Sequence, residues 1–181
     1  MKSKSSRKFG KWFLSILLCI FLTPYAAMAG PEGSAVSYEK TVSQWKSYQD
    51  VADWLKDSFV YDISKLRNKG HTPQSPAETF KLKKGVCYDA ANFAIDALNR
   101  INPGYKAKSV FIKNRLGPPH HWVTAFTESG KLYIMDYGAS MRWSRMNGIH
   151  GPYESLADYE RFLSSLTMQR FILEYAEYRD F

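Results

Sequence analysis

Four residues of the sequence have types and positions that could perform nucleophilic catalysis. Cys87 stands at the start of a helical pattern, in the segment KKGVCYDAANFAIDAL. His120 and His121 begin a segment rich in β-formers, and Asp136 ends the next one. The thiolate is the nucleophilic form of cysteine, and a helix N-terminus favours it because unpaired N–H groups and the helix dipole attract negative charge. A neighbouring imidazolium favours the thiolate further and can protonate a leaving amine.

The aspartate completes this set of reactive groups. An imidazole must be held in one tautomer and one orientation, and a carboxylate does this by accepting its other N–H. A cysteine on a helix, followed by a hairpin that carries a histidine and an aspartate, therefore predicts a Cys-His-Asp triad. A structural zinc site uses the same residue types but needs four ligands at short spacings, which one cysteine and dispersed histidines do not supply. We expect no metal ion and no cofactor.

The first 29 residues are typical of a secretory signal peptide. Five basic residues and no acid precede the apolar run Trp12–Leu22, and Ala27-Met28-Ala29 forms a cleavage site before Gly30. That run is too short for a transmembrane helix, which needs about 20 apolar residues. We expect residues 30–181 to be exported, to the periplasm or the medium, with no stable membrane anchor after cleavage. Cys19 leaves with the leader, so the exported part would have only the Cys87 thiol.

The charge and length of the exported part exclude some classes of protein. The chain has 25 basic and 17 acidic residues, and removing the five basic leader residues leaves a net charge of +3. No clustered basic surface is apparent, so we do not expect a nucleic-acid partner. About 150 residues fit a single domain with one core, and we expect a monomer.

The order of the predicted elements indicates an α+β fold. Helical spacing of apolar residues predicts helices over Tyr38–Phe59, from Ser75 as N-cap, from Cys87 to Ile101, and over Glu154–Leu166. Alternation predicts strands over Ala107–Asn114, on both sides of Ser129-Gly130, and in the tail from Met168. Gly, Pro, Asn and Ser content predicts loops over Arg67–Pro76 and Ala139–Pro152.

Three segments together resemble the core of the transglutaminase-like superfamily, whose members share a papain-like Cys-His-Asp triad. They are GVCYDAANFAIDAL, HHWVTAF and LYIMDYG, with SPAETFKLKKG as a similar lead-in. The resemblance covers Ser75 to Gly138 and is nearest in pattern to bacterial periplasmic transglutaminase-like cysteine proteinases. It implies a cysteine-bearing helix packed on an antiparallel sheet that carries the other two triad residues. Adhesin-releasing members of that branch have acids flanking the cysteine and depend on calcium; here Val86 and Tyr88 flank it.

The sequence leaves two candidates for the base. An H-x-W pattern, frequent in the superfamily, selects His120, whereas a spacing of fifteen residues before the aspartate selects His121. A two-residue turn at Ser129-Gly130 would pair Val123 with Asp136 and place His121 on the face of the acid, because side chains alternate along a strand. A three-residue turn would favour His120. We predict His121, with His120 as the alternative.

The resemblance implies an exported cysteine peptidase or amidase that cleaves amide bonds of a protein or peptide substrate through a thioester. The oxyanion would be bound by the Cys87 backbone N–H and a second donor, for which Gln74 is the candidate. Trp122, Tyr137 and Trp143 are candidates for the substrate cleft. Two alternatives stay open: amine transfer of the transglutaminase type, and a non-catalytic binding module that retains the fold.

Overall fold

A computed structural model describes residues 37–67 and 72–181 of the 181-residue chain. The predicted leader, with Cys19, and His71 lie outside the described residues. The described helices are α1 (Tyr38–Val42), α2 (Tyr48–Ser58), α3 (Ile63–Arg67), α4 (Pro76–Leu82), α5 (Cys87–Ile101) and α6 (Leu156–Ser165), with 3₁₀ segments η1 (Pro103–Tyr105) and η2 (Met141–Met146). No helix in this part of the chain is both long and apolar enough to cross a bilayer.

The strands form one large antiparallel sheet and one small parallel pair. They are β1 (Val60–Tyr61), β2 (Lys84–Gly85), β3 (Lys108–Asn114), β4 (His121–Glu128), β5 (Lys131–Asp136), β6 (Gly148–Tyr153) and β7 (Leu173–Tyr178). The large sheet has the order β6-β5-β4-β3-β7, and β1 pairs with β2. The predicted α+β class is confirmed, and so are the strand in the tail and the Ser75 N-cap, whose side chain accepts from the Glu78 N–H.

Helices cover both faces of the large sheet. Successive side chains of a strand point to opposite sides, so both faces have apolar side chains that pack against helices. On one side, α5 and the N-terminal helices share an apolar core with the sheet residues Phe126 and Met135. On the other side, α6 and η2 pack with Val123 and Ile134. Each of these sheet residues is buried. The central strands β4 and β5 are therefore fixed from both faces.

The cysteine-bearing helix lies close to the sheet because the residues between them are small. Ala90, Ala91, Ala94 and Ala97 are buried on α5. Thr124 of β4 is buried as well, and its hydroxyl donates to the Ala91 carbonyl at 3.1 Å. This bond satisfies two buried polar groups and sets the position of α5 along β4.

One prediction about the fold is wrong. The segment predicted as a loop over Ala139–Pro152 contains η2 and most of the edge strand β6. Gly148, Gly151 and Pro152 are turn formers in sequence, yet an edge strand tolerates them because one side of it is unpaired. His150, within this segment, lies half-buried on β6 and donates from Nε2 to the Met146 carbonyl at 2.7 Å.

Phe93 should be among the side chains on which the stability of the fold most depends. It is fully buried on α5, with its ring centroid 4.4 Å from that of Trp54 and 5.5 Å from that of Tyr38. Replacing Phe93 by Ala should lower the free energy of unfolding by about 3–5 kcal/mol, because it leaves a cavity. Met141→Ala, at a side chain that is 92% exposed, should change it by less than about 0.5 kcal/mol. Urea unfolding of both variants checks the difference, and equal effects would contradict the packing described.

Candidate active site

Cys87 is the first residue of α5 and is 7% exposed. The residues that follow β5 lie against Cys87. A Cβ placed on Gly138 would lie 2.6 Å from the Cα of Cys87, closer than any real Cβ contact. Glycine is therefore required at position 138, and the end of β5 is held against the start of the cysteine helix.

A buried carboxylate organises the chain around the start of α5. Asp89 is fully buried and accepts from the backbone N–H groups of Val86 and Gln74, each at 2.8 Å. Both of its oxygens also lie 2.8 Å from Nζ of Lys65 on α3. Gly85 leaves room for this carboxylate, because a Cβ there would come within 2.6 Å of it. A negative charge in the first turn is also favoured by the helix dipole.

Of the two turn lengths that the sequence leaves open, the hairpin of β4 and β5 has the two-residue turn at Ser129-Gly130. Both turn residues have positive φ, 51° and 75°, as in the tight turns that suit the twist of a hairpin. Glu128 lies opposite Lys131, and the register continues to Thr124 opposite Met135. This register puts the side chains of His121 and Asp136 on one face.

His121 and Asp136 form a buried pair next to the cysteine. His121 is 2% exposed, and its Nε2 donates to Oδ2 of Asp136 at 2.6 Å. The other oxygen of Asp136 accepts from the Gly138 N–H at 3.0 Å. The Cys87 side chain lies close enough to the His121 ring to help raise the pKa of that histidine. Because Nε2 is bonded to the carboxylate, Nδ1 is the ring nitrogen left for that thiol.

The surroundings of His121 favour its charged form. Burial alone lowers the pKa of a histidine. Here the charge of Asp136, its hydrogen bond and the contact with Cys87 outweigh burial and raise the pKa of His121 to about 10. A cationic imidazole between a carboxylate and a thiol can stabilise a thiolate and can donate a proton.

His120 points elsewhere. Its Nδ1 accepts from the Asn114 N–H at 3.3 Å, and its ring centroid lies 5.5 Å from that of Phe111. Burial, together with the positive charges of Lys113 and Arg179, lowers the pKa of His120 despite the opposing charge of a nearby glutamate. The structure therefore brings His121, and not His120, to the predicted acid.

Gln74 lies against the first turns of α5. Its backbone N–H bonds to Asp89, and its carbonyl accepts from Nδ2 of Asn92 at 2.8 Å. The side-chain oxygen of Gln74 accepts from the Thr79 hydroxyl at 3.2 Å. Since its oxygen is occupied in this way, its amide NH₂ is the group that could serve a ligand.

The three aromatic candidates for the cleft occupy different positions. Trp122 and Tyr137 are half-buried and line, with Cys87, the narrow crevice between α5 and the sheet. Trp143 is buried, and the centroid of its ring lies edge-on at 5.9 Å from that of His121. Its Nε1 donates to the Gln169 carbonyl at 3.0 Å, so its ring forms a fixed wall beside the histidine.

Two residues of the site have no signal in the sequence: Lys65, which pairs with Asp89, and Tyr61, whose pKa responds to Cys87. Tyr61 lies opposite Gly85 in the β1–β2 pair. Burial and then the charge of Cys87 raise the pKa of Tyr61 to about 12. A strand of two residues has no detectable periodicity, so no sequence signal could have found Tyr61.

In the described part of the chain, no group of three or more His, Cys, Asp or Glu side chains could hold a metal ion.

Replacing Asp89 by Asn should strongly destabilise the protein. The amide would leave the Lys65 ammonium without its charged partner, and its NH₂ group could not accept from the N–H donors that converge there. Breaking a buried ion pair in this way costs about 3–5 kcal/mol. Asp180→Asn, the same change at an exposed residue, should cost less than about 0.5 kcal/mol. Urea unfolding measures both, and a small loss for Asp89→Asn would show that the pair is not the organiser inferred here.

The two adjacent histidines should titrate far apart. NMR of protein labelled at histidine, with His120→Gln used for assignment, should show His121 changing near pH 10 and His120 below its ordinary 6.5. The His121 contribution to stability should be complete below about pH 6.5 and decline up to about pH 10, because only the folded protein retains this proton over that range. Titration of His121 at or below pH 6.5 would contradict the ion pair with Asp136.

Part of this chain is similar in sequence to known proteins. Residues 34–142 match the family model of the transglutaminase-like domain. UPF0252 protein PH1321 of Pyrococcus horikoshii is 29% identical over 101 residues, which are 54% of this chain and 28% of that protein. The chain thus matches little more than a quarter of the length of this relative. Because the family match covers more than half of the 181 residues, the chain belongs to the transglutaminase-like domain family.

Proposed function

We propose that this protein is a cysteine hydrolase that cleaves amide bonds with Cys87, His121 and Asp136 as its triad. The observation that carries the proposal is the buried His121 ring, which donates to Asp136 at 2.6 Å through Nε2 and whose pKa is raised further by the Cys87 side chain beside it. A nucleophile, a base and an orienting acid within hydrogen-bond reach are the signature of nucleophilic catalysis. Membership of the transglutaminase-like family supports the same chemistry.

In the first half of the reaction, the Cys87 thiolate attacks the carbonyl carbon of an amide. The resulting oxyanion is bound by the Cys87 backbone N–H at the start of α5, with the Gln74 side chain as the proposed second donor. His121 then gives its Nδ1 proton to the leaving amine, the C–N bond breaks, and a thioester with Cys87 remains. Asp136 keeps the ring in place and stabilises its positive charge.

In the second half, water replaces the amine. Neutral His121 takes a proton from this water, whose oxygen attacks the thioester carbonyl. The C–S bond then breaks, releasing a carboxylic acid and restoring the thiolate and imidazolium. Attack by a lysine amine in place of water would give amine transfer. We propose water as the acceptor because hydrolysis is the commoner reaction in the bacterial proteins that the sequence resembles.

The proposed location of the protein follows from its leader. Residues 1–29 have the pattern of a secretory signal, so we propose that the protein acts outside the cytoplasm, in the periplasm or the medium. Its proposed partner is a protein or peptide substrate, which it would cleave as a monomer. Tyr137 and Trp122, which border the crevice next to Cys87, are the proposed contacts for that substrate.

Activity and thiol labelling test the triad. A peptide library should be hydrolysed by the unaltered protein, and Cys87→Ser should lower kcat/KM by at least about 10³-fold because the nucleophile is lost. His121→Ala should cost about 10²–10⁴-fold, the range for a lost general acid–base. His120→Ala, the adjacent matched change, should leave most activity. Iodoacetamide at pH 7 should label native Cys87 faster than it labels the same thiol in urea.

Three outcomes would overturn parts of this proposal. Labelling at the rate of the unfolded chain, with no hydrolysis, would indicate a non-catalytic binding module. Stable incorporation of a fluorescent amine that depends on Cys87, in place of cleavage, would indicate amine transfer. Equal losses in His120→Ala and His121→Ala would contradict a single base.

A further inference from the structure

A cavity of about 400 Å³ lies beside the proposed triad. Its wall is formed by the end of β3, the loop before β4, η2 and the segment before β7, and includes Asn114, Ser140, Arg142, Trp143 and Arg170. A volume of this size lies within the range of small-molecule and peptide side-chain sites. None of these residues was assigned to a ligand by sequence, apart from Trp143.

One aromatic residue links the cavity with the proposed base. Trp143 lines the cavity, and its ring centroid lies edge-on at 5.9 Å from that of His121. Asn114, a second wall residue, also bonds to the ring of the neighbouring His120. A substrate whose scissile amide lies at Cys87 could therefore place an adjacent group in this cavity.

The charged residues that line the cavity are all basic. Arg142 and Arg170 are exposed and have no carboxylate within 4.0 Å among the described residues. Among the described residues, Arg100, Arg161 and Arg179 do have such partners, whereas Arg115 and Arg145, which lie outside the cavity wall, do not. No acidic residue lines the cavity, whose wall also includes Leu116, 57% exposed. Two unpaired guanidinium groups and an apolar rim suit a ligand that carries an anion on an apolar stem.

We infer that this cavity binds a carboxylate of the substrate, so that the hydrolase selects acidic peptides. This inference rests on the proposed function. Arginine binds carboxylates through paired N–H groups of fixed geometry, and Arg142 and Arg170 are the groups that would do so. The carboxylate belongs either to an Asp or Glu side chain near the scissile bond or to a free C-terminus close to it.

Matched peptides test the preference. In the first set of peptides, each position around the scissile bond holds in turn Glu, Gln or Lys. A second set compares peptides that end in a free C-terminal acid with the corresponding C-terminal amides. The unaltered protein should cleave the Glu or C-terminal acid form with a kcat/KM at least about tenfold above that of its neutral form, as expected for a charged hydrogen bond. The set that shows the preference identifies the source of the carboxylate. Arg142→Gln/Arg170→Gln should abolish it, whereas Arg145→Gln, on η2 but outside the cavity wall, should retain it.

A second measurement separates this inference from the proposed function. Equal cleavage of charged and neutral peptides by the unaltered protein would overturn the inference and leave the hydrolase in place. If no peptide is cleaved, the ratio of Cys87 labelling rates with iodoacetate and iodoacetamide still reports on the arginines, because the ratio cancels general thiol reactivity. That ratio should fall at least about threefold in Arg142→Gln/Arg170→Gln, because the altered cavity no longer attracts the iodoacetate anion. An unchanged ratio would overturn the inference.

Discussion

The start of the cysteine helix depends on one buried carboxylate. Asp89 accepts hydrogen bonds from the N–H of Val86, just before α5, and from the N–H of Gln74, in the loop before α4. It also pairs with the ammonium of Lys65 on α3. Burying such a charge costs several kcal/mol unless donors satisfy it, and these donors come from three separate parts of the chain. The positions of α3, of the loop before α4 and of the residue before α5 are therefore coupled to the position of Cys87.

A second constraint comes from the sheet and reaches the same residue. The two-residue turn at Ser129-Gly130 sets the register of β4 against β5, and this register puts His121 beside Asp136. The chain then bends through Gly138, whose lack of a side chain allows it to touch Cys87. A slip of one residue would turn His121 to the opposite face. Local turn chemistry thus decides which histidine meets the thiol.

These elements differ in how far the sequence foretells them. The start of α5 and the hairpin follow from patterns of a few consecutive residues, whereas the choice of His121 over His120 depends on the length of the turn, which only the structure gives. The partners of Asp89 could not be read in this way, because Lys65 lies 24 positions away and meets it only through tertiary packing. Strand β6 was missed because its Gly and Pro residues are typical of turns, and only its edge position makes them acceptable.

Lys65 neutralises the charge of Asp89 close to the start of the cysteine helix. Asp89 lies only two positions after Cys87, at the helix end where a thiolate would form, and an uncompensated carboxylate there would repel that thiolate. The ammonium of Lys65 at 2.8 Å neutralises it, so the dipole of α5 and the His121 cation act on the thiol without opposition. Asp136 in turn balances the His121 charge. With both carboxylates paired to cations, the remaining negative charge at this end of α5 would be the thiolate itself.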